Sequence, residues 1–139
     1  MTLSALHKRL VRRSFSHLAA HSDECVALFY VRLSELNPTQ YLLFRGSSGG
    51  QAYPLMQMLA IAINLIDQPA LLSAQLRALW TRYNGYGLRA EDLVQAETAL
   101  MWMLEKQLGS EFTAEMFHAW TNFYHLIMQL TVRRPDHKV

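Results

Sequence analysis

Apolar residues recur three and four positions apart along nearly the whole chain, and no segment alternates apolar and polar with period two. The pattern predicts helices throughout. The first covers about Leu3 to Ala20 and puts Leu6, Leu10, Val11, Phe15 and Leu18 on one side. Ser22 is the predicted cap of the second helix, with Asp23 and Glu24 set against the positive end of its dipole. That helix runs to about Glu35 and presents Val26, Phe29, Tyr30 and Leu33. Asn37-Pro38 is another start signal, a capping amide before a proline whose missing N–H is not needed in a first turn. A short helix is expected after it, ending near Phe44.

The only Gly/Ser-rich stretch, Gly46-Ser47-Ser48-Gly49-Gly50, predicts a flexible loop. An apolar helix follows over about Gln51 to Leu65, with Pro54 in its first turn. Pro69 begins the next, to about Tyr83, and Asn84-Gly85-Tyr86-Gly87 is a strong turn. Two long helices complete the chain, about Arg89 to Leu108, stopped by Gly109, and about Thr113 to Arg133, stopped by Pro135. About seven helices of unequal length do not suit a simple four-helix bundle, whose helices match in length. A globin-type packing fits this order better.

Composition narrows the picture. A length of 139 residues predicts one domain, spanning 1–139, large enough to bury a core without disulfides or a structural metal. Apolar residues are 51% of the chain, which excludes a disordered tail. Charged residues are 17%, below the roughly 25% usual for soluble domains, which points to an additional apolar surface for a cofactor or a partner. Cys25 is the one cysteine, so neither an intrachain disulfide nor a Cys-based metal site can form. The expected location is cytoplasmic: no secretory signal stands at the start, and the apolar run from Tyr53 to Ile66 is shorter than the roughly 18 residues of a membrane span.

Net charge is +2, with the basic residues gathered near the two ends: Lys8, Arg9, Arg12 and Arg13, then Arg133, Arg134 and Lys138. Brought together they could make a patch for nucleic acid or acidic lipid. No aromatic residues interleave with them as single-strand binding requires, so the expectation is solvated helix ends, no nucleic acid and no membrane. His17 and His21 share a helix face but lack a third metal ligand and read as surface residues; His118 and His125, seven apart on the last helix, lie near one face. No phosphate loop, nucleophile triad or nucleotide fingerprint is present.

Four stretches, in order, carry a family resemblance. They are Ala27-Leu28-Phe29-Tyr30-Val31-Arg32-Leu33 with Leu36-Asn37-Pro38; Leu42-Leu43-Phe44-Arg45-Gly46; Gly85-Tyr86-Gly87-Leu88-Arg89-Ala90-Glu91; and Ala119-Trp120-Thr121-Asn122-Phe123-Tyr124. From about Val11 to Thr131 the chain resembles the single-domain bacterial globins related to the globin domain of flavohaemoglobins. The resemblance implies an all-α globin fold and a haem b cofactor holding a diatomic ligand, oxygen or nitric oxide. It also implies roles. Tyr30 falls on the distal tyrosine that donates a hydrogen bond to the ligand. Phe44 falls on the phenylalanine that packs on the porphyrin, Gln51 on the distal glutamine, and Leu55 on the aliphatic residue over the iron.

The proximal side departs from the family. Its iron-binding histidine lies two residues before the Gly-Tyr-Gly loop, and Tyr83 stands there. Leu93 occupies the place of a tyrosine, and Pro135 lies about where a glutamate would orient the imidazole. Tyr83 is then either a phenolate ligand to ferric haem or an aromatic filling a site that holds no metal. Trp80, three residues earlier on the same face, either stacks on haem or fills its volume. His118 or His125 could serve as an iron ligand only if a haem were displaced towards them. Two functions remain open: an atypical haem globin binding or sensing a gas, and a haem-free globin-fold module for protein interaction, with a partner protein or as a homodimer, or for small-molecule sensing. Enzymatic gas chemistry is disfavoured, because the length leaves no room for a reductase domain and the electron-donating histidine is absent.

Overall fold

The computed structural model describes residues 3–39, 41, 54–82 and 90–131. Six α-helices span them: α1 (Ala5–Ala20), α2 (Ser22–Leu36), α3 (Leu55–Asn64), α4 (Pro69–Arg82), α5 (Ala90–Leu108) and α6 (Ala114–Thr131). A 3-10 turn, Gly109–Glu111, joins the last two. No strand occurs among the described residues, so the all-α expectation holds. Residues 38, 39 and 41 are helical as well, the start of the expected short helix; its remainder lies outside the described residues.

The helix boundaries follow local chemistry. Ser4 caps α1, its Oγ accepting the His7 N–H at 3.1 Å. Asn37 starts the next turn as expected, its Oδ1 accepting the Thr39 N–H at 3.0 Å. Thr113 caps α6 rather than beginning it, its Oγ1 accepting the Met116 N–H at 3.2 Å. Gly109 ends α5 in the left-handed region, φ 56°, as its sequence position implies.

Two expectations need correction. Ser22 is not a cap but the first residue of α2; His21 takes the cap position and makes no side-chain capping bond. The His21 N–H bonds back to the Leu18 carbonyl, so α1 and α2 meet with a single residue between them and leave Ser22 no room outside the helix. Pro54 is not inside a first turn either. With φ −87° and ψ 64° it stands before α3, and its carbonyl accepts the Met58 N–H at 2.9 Å.

The core is one contiguous cluster drawn from every helix. The main packings set α2 against α5, α1 against α6, and α4 against α6, with α3 lying on α4. Val11 and Leu18 of α1 are fully buried, as are Phe29 and Leu33 of α2, whereas Leu6 is 42% exposed at the start of α1. Trp120, Phe123 and Tyr124 bring α6 into the centre. Long-range bonds pin these contacts. Trp120 Nε1–H donates to Ser14 Oγ at 2.9 Å, and Ser14 Oγ–H donates to the Leu10 carbonyl at 2.8 Å. Tyr124 OH donates to the Leu93 carbonyl at 2.9 Å. At the outer edge of the α1–α6 contact, one ring nitrogen of His7 lies 3.0 Å from Glu115 Oε2 and the other 3.3 Å from Asn122 Nδ2.

Candidate functional site

The expected distal side rests on α2 and α3, which pack against each other. Pattern explains the wall they form. Phe29 and Leu33 recur four apart on α2, and Leu55, Met58, Leu59 and Ala62 recur three and four apart on α3; all six are buried. Tyr30 is half-buried and packs against this cluster, its ring edge-on to Phe29 at 5.4 Å and to Tyr41 at 6.0 Å. Leu55, the first residue of α3, is 2% exposed. The structure therefore brings Tyr30 and Leu55 into one apolar cluster.

Phe44, Gln51 and Tyr83 lie outside the described residues. Trp80 stands in the last turn of α4, and its side chain is likewise outside the described part. Sequence reasoning missed Tyr41. Its phenol ring stacks edge-on against Tyr30 because Asn37-Pro38 turns the chain back, with the Tyr41 N–H bonded to the Asn37 carbonyl at 3.0 Å. The signal was there: an aromatic residue one helical turn past a cap faces the element that the cap interrupts.

The donor set tests whether haem suits these residues. A porphyrin wants apolar surroundings with few polar groups, and α2 and α3 supply buried apolar side chains with Tyr30 packed against the same cluster. The iron wants an axial donor. Helix α4 contains no histidine, cysteine, methionine or tyrosine, and the whole sequence has no histidine between His21 and His118. Both His17 and His21 are exposed, their ring centroids 4.8 Å apart. His125 is exposed beside Glu97 at 3.1 Å, and His118 is exposed beside Phe117. No group of three metal-ligating side chains occurs among the described residues. The apolar side chains and the phenol are of a kind that haem accepts; α4 itself supplies no axial donor, and Tyr83, the residue after it in sequence, lies outside the described residues.

The first turn of α5 follows the expected proximal loop. Leu93 is buried there, and Tyr124 of α6 supplies a phenol to its carbonyl. Asp92, also buried, is the third residue of α5, where the positive end of the helix dipole favours a carboxylate. Pro135 lies outside the described residues. No described helix is long and apolar enough to cross a membrane.

Comparison with known proteins agrees with this architecture. The family profile described as Globin matches residues 49–130. The flavohemoprotein of Xylella fastidiosa (strain 9a5c) is 27% identical over 124 residues, covering 87% of this chain and 31% of that protein. The flavohemoprotein of Bordetella pertussis is 27% identical over 135 residues, covering 95% of this chain and 34% of its own length. The neuroglobin of Chaenocephalus aceratus is 24% identical over 140 residues, covering 91% of this chain and 88% of the neuroglobin. The chain spans about a third of the length of the flavohemoproteins it matches. With the profile covering more than half of the chain and helices in the expected order, the protein belongs to the globin family.

Proposed function

We propose that residues 1–139 form one globin domain that binds haem b with an atypical proximal side and takes a diatomic gas, oxygen or nitric oxide. The observation that carries this reading is Tyr30, a half-buried phenol at the edge of an apolar wall made by Phe29, Leu33, Leu55, Met58 and Leu59. Haem is named in the flavohemoproteins that the chain resembles. When bound, haem supplies an iron coordination site for the gas. The chain's own residues do the rest. Leu55 and its neighbours exclude water, which strengthens any hydrogen bond made inside. Tyr30 donates an O–H to a polarised ligand, with Gln51 as a second donor and Phe44 and Trp80 packing on the porphyrin. Tyr83 holds the iron. A phenol ionises near pH 10 when free, so binding metal is what draws its proton off at neutral pH. A phenolate donor favours the ferric state and makes reduction difficult.

The test is protein purified from haem-sufficient cells and read by its absorption spectrum. A Soret band is expected. Tyr83→Phe keeps the ring volume and removes the donor, so the ferric spectrum shifts and haem affinity falls; an unchanged spectrum and affinity mean that Tyr83 is not the ligand. Tyr30→Phe should keep the Soret band and speed gas release from chemically reduced protein about 5–150-fold, the worth of one hydrogen bond of roughly 1–3 kcal/mol in an apolar site. An unchanged release rate removes Tyr30 from the reading.

One observation favours a second reading. The stretch from Ser22 to Phe117, which includes the whole of α4, has no histidine at all. A haem-free module for protein interaction or small-molecule sensing would need none. It is the reading left if no Soret band forms even after haem is added and if Tyr83→His does not create haem binding.

A further inference from the structure

Helix α1 carries Lys8, Arg9, Arg12 and Arg13 and no acidic residue. Their spacing sets them in two rows one helical turn long, Lys8 with Arg12 and Arg9 with Arg13. The buried stripe of the same helix, Val11, Ser14 and Leu18, points the other way. The four cations, together with Ala5 and Ser16, line a shallow open groove of about 490 Å³. One carboxylate answers them. Asp67, from the turn between α3 and α4, accepts from Lys8 Nζ and from Arg12 Nη2, the latter at 3.4 Å. Lys8, and after it Arg12, hold the Asp67 carboxyl below its usual range although it is exposed, which reports a positive field at this face. Among the described residues no carboxylate pairs with Arg9 or Arg13.

We propose that the outward face of α1 is a docking groove for an acidic segment of a partner protein, with Arg9 and Arg13 as its free anchors. Charge complementarity selects the partner. Four cations against one carboxylate leave a single-sign field that steers an acidic surface and disfavours a basic one. Three of the four are arginines, whose planar forks take a carboxylate through two parallel N–H donors. Small residues at both ends, Ala5 and Ser16, leave space for a second backbone between the long basic side chains. An acidic helix with carboxylates at i, i+4 matches the spacing of the rows. A bilayer matches less well: no large apolar side chain lines the groove, and a few cations at about 1 kcal/mol each hold a membrane weakly. Single-stranded nucleic acid would need an aromatic stacking platform, and none lines the groove.

The probe is a fluorescein-labelled, alanine-based helical peptide with glutamate pairs at i, i+4, titrated with the full chain at low ionic strength. Its controls are a peptide of equal composition with the glutamates clustered, phosphatidylserine vesicles, and duplex DNA. Expected is saturable binding that weakens with salt, exceeds that of every control, and falls about tenfold or more in Arg9→Glu/Arg13→Glu. Lys106→Glu, which reverses a cation on α5, should change it less than about twofold. Circular dichroism checks the fold; if the double reversal unfolds, Arg9→Gln/Arg13→Gln replaces it and should still weaken binding several-fold. No binding, equal binding of the clustered peptide, tighter binding of vesicles or DNA, or no effect of either double variant overturns the proposal.

Discussion

At the scale of single residues, two small side chains show how context sets chemistry. Ser14 sits on the apolar stripe of α1, where a hydroxyl without a partner would cost roughly 1–3 kcal/mol. It is tolerated because it accepts the Trp120 indole N–H and donates to Leu10. Cys25 is fully buried, with Sγ 3.6 Å from the Leu18 carbonyl, and burial foremost, then the Glu24 charge, pushes its pKa from the usual 9.0 up to about 11. The sign of the linkage follows. Above pH 9 the unfolded chain releases this proton while the folded chain keeps it, so stability falls as pH rises towards 11. The difference in unfolding free energy between the wild type and Cys25→Ala should therefore shrink over that window, measured by urea titration at stepped pH. A constant difference would mean that the thiol ionises equally in both states. The same burial makes the folded thiol slow towards disulfide reagents.

At the scale of elements, boundaries depend on backbone geometry. Gly109 has φ 56°, and a β-carbon built there meets nothing within 4 Å, so the cost of Gly109→Ala is conformational rather than steric. Thermal unfolding should show a loss of about 1 kcal/mol, and no change would mean that the turn relaxes to a right-handed form. Gly109 was readable in the sequence because its type and position coincide. So were Asn37 and the paired apolar positions of α2 and α3, whose signals lie within one helical turn. Ser22 and Pro54 were misread because each could occupy two adjacent places near a helix start, and the neighbouring turn decided between them. Ser14 under Trp120 escaped because a local pattern carries no information on which distant ring arrives. Of the site, Tyr30 and Leu55 came from family resemblance rather than periodicity, which would have made them ordinary core residues.

At the scale of the whole molecule, the candidate site and the basic groove lie on different elements. The described residues of the site belong to α2 and α3, and the groove to the outer face of α1, so charge changes at Arg9 and Arg13 leave those residues in place. The two proposals can therefore fail separately. What ties α1 to the rest is mainly α6, through Ser14 with Trp120 and His7 with Glu115 and Asn122. Ser14 and Trp120 are 106 residues apart in sequence. A ribosome adds about 5–20 residues per second, so α1 is made roughly 5–20 s before the helix that covers most of its apolar stripe. Throughout that interval the main packing partner of α1 is still untranslated, and the nascent chain shows chaperones a sticky, positively charged α1. Packing of α1 is completed only when α6 arrives, more than a hundred residues further along the chain.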